Sequence, residues 1–86
     1  MKHASPAVLD TIEPLLARLR ALPLKEKSRG VFYLRSRAFL HFHEDPAGLF
    51  ADIRAADGRD FDRLQVDTVE AQDALVSLAA DRCKPV

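Results

Sequence analysis

Ala38-Phe39-Leu40-His41-Phe42-His43-Glu44-Asp45-Pro46-Ala47-Gly48-Leu49-Phe50-Ala51-Asp52-Ile53-Arg54 is the stretch that decides the fold. Two β-forming runs flank Asp45-Pro46-Ala47-Gly48, a turn with proline second and glycine fourth. With Pro46-Ala47 as a two-residue loop, His41 faces Asp52, Leu40 faces Ile53, Phe42 faces Ala51 and Phe39 faces Arg54. A slip of one residue would set Phe42 against Asp52 and Leu40 against Arg54. The amphipathic match therefore selects the first register, which only a bulge at Gly48 would spoil.

The same logic extends to both sides. Asp57-Gly58 is a strong hairpin signal, and a loop there sets Asp52 opposite Arg63, Ala51 opposite Leu64, Arg54 opposite Phe61 and Leu49 opposite Val66. Upstream, a loop at Ser36-Arg37 pairs Phe32 with His41 and Leu34 with Phe39. Arg35-Ser36-Arg37 is a weak turn signal, and without it residues 31 to 43 would form one long strand. Ser5-Pro6 starts a helix whose apolar stripe runs Val8, Leu9, Ile12, Leu15, Leu16, Leu19, Leu22. Pro14 interrupts its hydrogen bonding, but the stripe stays in phase, which favours a kink. Leu24 to Gly30 reads as a solvated connector. Asp67 and Glu70 have capping-box spacing and open a last helix with Val69, Leu75, Val76, Leu78 and Ala79 on its apolar side.

The expected layout is thus one α+β domain spanning residues 1–86: helix 6–22, strands 31–35, 38–44, 49–55 and 60–66 in an antiparallel meander, and helix 68–82. At 86 residues the core is thin. Cys83 is the only cysteine, so no disulfide forms within the chain, and it reads as a reduced, incidental thiol. Thirteen basic and thirteen acidic residues cancel, which argues against general nucleic-acid binding. No apolar run resembles a signal-peptide core or a membrane span, so the cytoplasm is the default expectation. Arg29, Arg35, Arg37, Lys25 and Lys27 gather near the connector and first turn, a solvated rim that could meet an acidic partner.

These registers sort the sheet into two faces. Val31, Tyr33, Leu40, Phe42, Leu49, Ala51, Ile53, Leu64 and Val66 form a core face for the helices to cover. The other face carries Phe32, His41, Asp52 and Arg63 in one row, Leu34, Phe39, Arg54 and Phe61 in the next, and His43, Phe50 and Gln65 beyond. Aromatics left without cover point to association, with another copy or another protein, through Phe32, Phe39, Phe50, Phe61 and Arg54. The alternative cover is the kinked N-terminal helix. His41, Asp52 and Arg63 read as a polar ladder. His41-Phe42-His43 also sets two imidazoles on one face about 7 Å apart at the backbone, and with Asp52 they could hold a divalent transition metal, although a complete set needs another ligand. A catalytic reading would have Asp52 orient His41 as a general base, but no serine, threonine or cysteine nucleophile is expected nearby on this face, so an enzyme is not the favoured expectation, and no cofactor is required. Stacking of single-stranded bases on the open face is a weaker third option.

Phe39-Leu40-His41-Phe42-His43-Glu44-Asp45 and Leu49-Phe50-Ala51-Asp52-Ile53-Arg54 resemble a group of short uncharacterised bacterial proteins with the pattern F-L-H-F-H-E-D, a turn, then L-x-A-D-x-R. The resemblance spans about residues 30 to 80. It implies no activity, and implies only that His41, His43 and Asp52 belong to a recurring segment.

Overall fold

In a computed structural model describing residues 1–84, strand β4 (Arg37–Asp45) pairs antiparallel with β5 (Gly48–Arg54) in the expected register. Leu40 meets Ile53, His41 meets Asp52, Phe42 meets Ala51 and His43 meets Phe50. Strand β6 (Phe61–Gln65) continues the meander, with Asp52 beside Arg63, Ala51 beside Leu64 and Arg54 beside Phe61, again as the hairpin logic requires. The loop between them is wider than two residues but has the same centre. The Ala55 amide donates to the Asp60 carbonyl (2.8 Å), Asp57 Oδ1 accepts from the Arg59 amide (2.8 Å), and Gly58 takes the left-handed conformation (φ +75°).

Strand β3 (Val31–Leu34) departs from expectation. The loop joining it to β4 is Arg35-Ser36, both left-handed (φ 49° and 70°), rather than Ser36-Arg37. Leu34 then pairs with Arg37 and Tyr33 with Ala38, but Phe32 pairs with Leu40, so Phe39 is an extra, unpaired bulge residue. The bulge exchanges the faces of β3. Phe32 and Phe39, expected on the open face, are 1% and 3% exposed in the core cluster. Val31 and Tyr33, expected in the core, are only partly buried, and Tyr33 lies beneath the Lys27 ammonium (5.1 Å). Two left-handed non-glycine residues cost about 1–2 kcal/mol each, and burying two phenylalanine rings returns about 1.5–3 kcal/mol each. Burial wins, and a primed two-residue loop also matches strand twist.

Among the described residues the sheet has six strands, not four. Strand β2 (Lys25–Ser28) lies in the segment read as a connector and forms the edge beyond β3, giving the order β2-β3-β4-β5-β6. Its charged residues suit an exposed edge, which must repel further pairing. Glu26 pins it, accepting from Arg20 and from the Gly30 amide (2.9 Å). Strand β1 (Lys2–His3) pairs with the far end of β4, Lys2 with Glu44 and His3 with His43, and the Ala4 amide donates to the Phe42 carbonyl (3.0 Å).

The N-terminal helix is broken, not kinked. Helix α1 (Pro6–Asp10) is capped by Ser5, and helix α2 (Glu13–Arg20) restarts after Thr11-Ile12 with Pro14 in its first turn, where no amide is needed. Helix α3 (Val69–Cys83) is capped by Thr68, whose hydroxyl accepts from the Ala71 amide (3.1 Å). Asp67, the expected cap, instead accepts from the Leu49 amide (2.9 Å) and ties the β6–α3 connection to β5. Leu9, Ile12, Leu15, Leu16 and Leu19 join Leu75, Ala79 and Cys83 in one core cluster with Leu40, Phe42, Ala51 and Ile53. Among the described residues, all three helices thus cover one face of the sheet, and the face bearing His41 and Asp52 is left uncovered by helix. Burial raises the Cys83 thiol, which keeps it protonated and inert.

Phe32→Ala is expected to cost about 3–5 kcal/mol in denaturant unfolding, as for a fully buried ring, whereas Phe61→Ala, with Phe61 37% exposed, is expected to cost under ~1 kcal/mol. Equal small losses would mean that Phe32 faces the open side.

Candidate metal centre

Alternation along β4 sends His41 and His43 to the helix-free face, and the β4–β5 register delivers Asp52 between them. Asp52 is 6% exposed although no helix lies above it, because side chains of the sheet wall it in. Arg63, across from it on β6, grips it bidentately: Nε donates to Oδ1 (2.8 Å) and Nη2 to Oδ2 (2.9 Å). His41 Nε2 stands 3.5 Å and His43 Nδ1 3.2 Å from the same Oδ2. One donor atom from each of His41, His43 and Asp52 falls within 4.8 Å of the others.

The charge states follow from these surroundings. Hydrogen bonds from Arg63 hold the Asp52 carboxyl below its ordinary value of 3.8, against the opposing effect of burial. Burial lowers His41 from its ordinary 6.5, and the like charge of His43 lowers it further. Burial likewise lowers His43, only partly offset by attraction to Asp52. Near neutral pH the site therefore presents two neutral imidazoles and one carboxylate, the protonation state that metal ligands require.

Among the described residues, His43 Nδ1 is buried and has no hydrogen-bond partner. It lies 3.2 Å from Asp52 Oδ2 without hydrogen-bond geometry, so a ring nitrogen and a carboxylate oxygen converge with no hydrogen bond joining them. Such an arrangement is costly unless a cation sits among the donors. In a tetrahedral site with metal–ligand bonds of about 2.0–2.2 Å, neighbouring donor atoms are roughly 3.3–3.5 Å apart. The His–Asp separations of 3.2 and 3.5 Å match that spacing, while the three donor atoms together lie within 4.8 Å of one another, so the two imidazoles would have to close on an ion.

A third imidazole, His3, lies beside this trio, outside the group of converging donor atoms. The register of β1 sets it beside His43, with ring centroids 4.7 Å apart, and 5.9 Å from His41. Nothing in two residues of sequence signals a strand, and only its identity as a histidine could have drawn notice. Phe61 closes the opposite side, 5.4 Å from the His41 ring and beneath the Arg54 guanidinium (4.6 Å). Arg54 itself is engaged, donating to the carbonyls of Ala38 (2.7 Å) and Gly58 (3.1 Å). Phe50 is half-buried beside His43. The open aromatic face thus holds Phe50 and Phe61, while Phe32 and Phe39 belong to the core.

Both imidazoles and Asp52 have folded-state pKa values below their ordinary ones, so each contributes stability that is present above its unfolded value and lost on acidification. Unfolding free energy should fall in two stages, the first starting below pH 6.5 and the second below pH 3.8. The double variant His41→Gln, His43→Gln should lose the first stage and keep the second in urea titrations across pH. A wild-type stability that is flat from about pH 7 to 5 would contradict these surroundings.

Comparison with protein-family models, with curated proteins and with solved structures returned no match.

Proposed function

We propose that the chain is a small metal-binding domain whose helix-free sheet face holds a divalent transition-metal ion of the zinc class through His41, His43 and Asp52, with His3 as the fourth donor. The observation that carries this reading is the unpartnered His43 Nδ1, converging on the carboxylate oxygen that His41 also approaches. Imidazole nitrogens with a single carboxylate oxygen suit zinc, nickel, copper or cobalt better than magnesium or calcium, which prefer oxygen alone. Arg63 plays the orienting part that outer partners play for metal-binding carboxylates, and its charge moderates affinity. Its side chain is half exposed, so it can yield Oδ2 to the ion while keeping Oδ1.

Association through the same face is a second reading. Its support is Phe61, exposed on a face that no helix covers. Sedimentation decides it: a monomer at tens of micromolar would contradict self-association.

For the metal, cobalt(II) titrated into the wild type should give the visible absorption of a tetrahedral nitrogen–oxygen site at one equivalent, and zinc should displace it. His43→Ala should weaken zinc binding at least tenfold, and zinc should raise the melting temperature of the wild type but not of the variant. Equal, weak binding by both proteins would overturn the proposal.

A further inference from the structure

Five of the nine arginines are paired with carboxylates: Arg18 with Asp73, Arg20 with Glu13 and Glu26, Arg29 with Asp10 and Glu13, Arg63 with Asp52, and Arg82 with Asp62. Among the described residues, Arg35, Arg37, Arg54 and Arg59 have no such partner. Three of those four, Arg35, Arg37 and Arg54, line a single cleft of about 700 Å³ between the β3–β4 loop, the loop after β5 and the C-terminal end of α3. In a chain of zero formal charge, the uncompensated guanidinium groups are therefore concentrated at one place.

Two of them are also forced together. Arg37 Nη2 (2.7 Å) and Arg54 Nη1 (3.1 Å) both donate to the carbonyl oxygen of Gly58. A neutral carbonyl is a poor substitute for an anion between two cations, and the arrangement leaves N–H donors on both groups unused. Arg35 at the rim makes only a long contact to the Cys83 carbonyl (3.4 Å). The same cleft is lined by Leu34, Phe39 and Leu78, and by Asp81, which pairs with Lys84 (3.2 Å), so cationic donors stand beside apolar side chains and the one carboxylate there has its own partner. Its volume lies within the range of small-ligand sites.

We propose that this cleft is a binding site, separate from the histidine cluster, for a small phosphomonoester with an apolar or aromatic body. Three unpaired guanidinium groups suit the three terminal oxygens and the charge of about −1.5 to −2 of a phosphomonoester at pH 7. A carboxylate offers two oxygens and one charge. The body lies against Leu34, Phe39 and Leu78. Phe39, the unpaired residue at the β4 bulge, is 3% exposed, so it forms the floor of the cleft rather than its rim.

Phenyl phosphate serves as the probe, followed by amide and methyl NMR on the full chain. Saturable shifts are expected at the Ala38 and Gly58 amides and the Leu34 and Leu78 methyls. Affinity should exceed that for inorganic phosphate, phenol or benzoate at least tenfold. Arg35→Gln and Arg37→Gln should each weaken binding several-fold, and His43→Ala should leave it unchanged. Arg35 has only its long contact to lose, so its variant keeps the test valid if Arg37→Gln perturbs the loop. Shifts that do not saturate, that map to the histidine face, or that persist unaltered in Arg35→Gln would overturn the proposal. Benzoate binding as tightly as phenyl phosphate would overturn the assignment of a phosphate.

Discussion

The pairing of β4 with β5 carries the structure, because one register satisfies both faces at once. It sets Leu40 on Ile53 and Phe42 on Ala51 under the helices, and it sets His41 and His43 around Asp52 on the other side. A slip of one residue would drive the Asp52 carboxylate into the core and expose the apolar residues, at a cost of several kcal/mol for the unpaired buried charge alone. The hydrophobic effect on one face thereby fixes the geometry of polar groups on the other. The Asp45–Gly48 turn, in which Asp45 Oδ1 accepts from the Ala47 amide (3.0 Å), locks that choice locally.

Given that register, Asp52 is the organising charge. It is nearly buried yet stays ionised because Arg63 donates to both oxygens. The imidazoles beside it are held neutral chiefly by burial, so their nitrogens are available as donors rather than consumed in salt bridges. An ion pair alone would leave His43 Nδ1 unexplained. The proposed cation, shared by His41, His43 and Asp52, would account for it, and β1 brings His3 beside them from the other end of the chain.

Legibility from sequence followed signal strength. The β4–β5 and β5–β6 registers were readable because turn residues and apolar alternation agree there, and so the His41–Asp52–Arg63 row could be placed in advance. The β3–β4 pairing was not readable. Arg35-Ser36 carries no glycine or asparagine to announce a left-handed loop, and a bulge at Phe39 leaves no trace in composition, yet it moves Phe32 from one face to the other. Strand β2 was hidden because Lys25-Glu26-Lys27-Ser28 has no alternation; tertiary pairing, not propensity, makes it a strand. The break after α1 has no signal in the sequence, because the apolar stripe stays in phase across Thr11-Ile12 and periodicity cannot distinguish a kink from a restart. His3 was out of reach for the same reason as β1: two residues have no period.

The His43 Nδ1 nitrogen decides between a metal site and a simple polar cluster, and long-range proton–nitrogen NMR of the imidazoles reads it directly. At pH 7 without metal, His43 Nδ1 should resonate as an unprotonated, acceptor-type nitrogen, and one equivalent of zinc should move it together with His41 Nε2. A protonated Nδ1 on His43, or a His43 resonance that ignores zinc while the protein remains folded, would contradict the account.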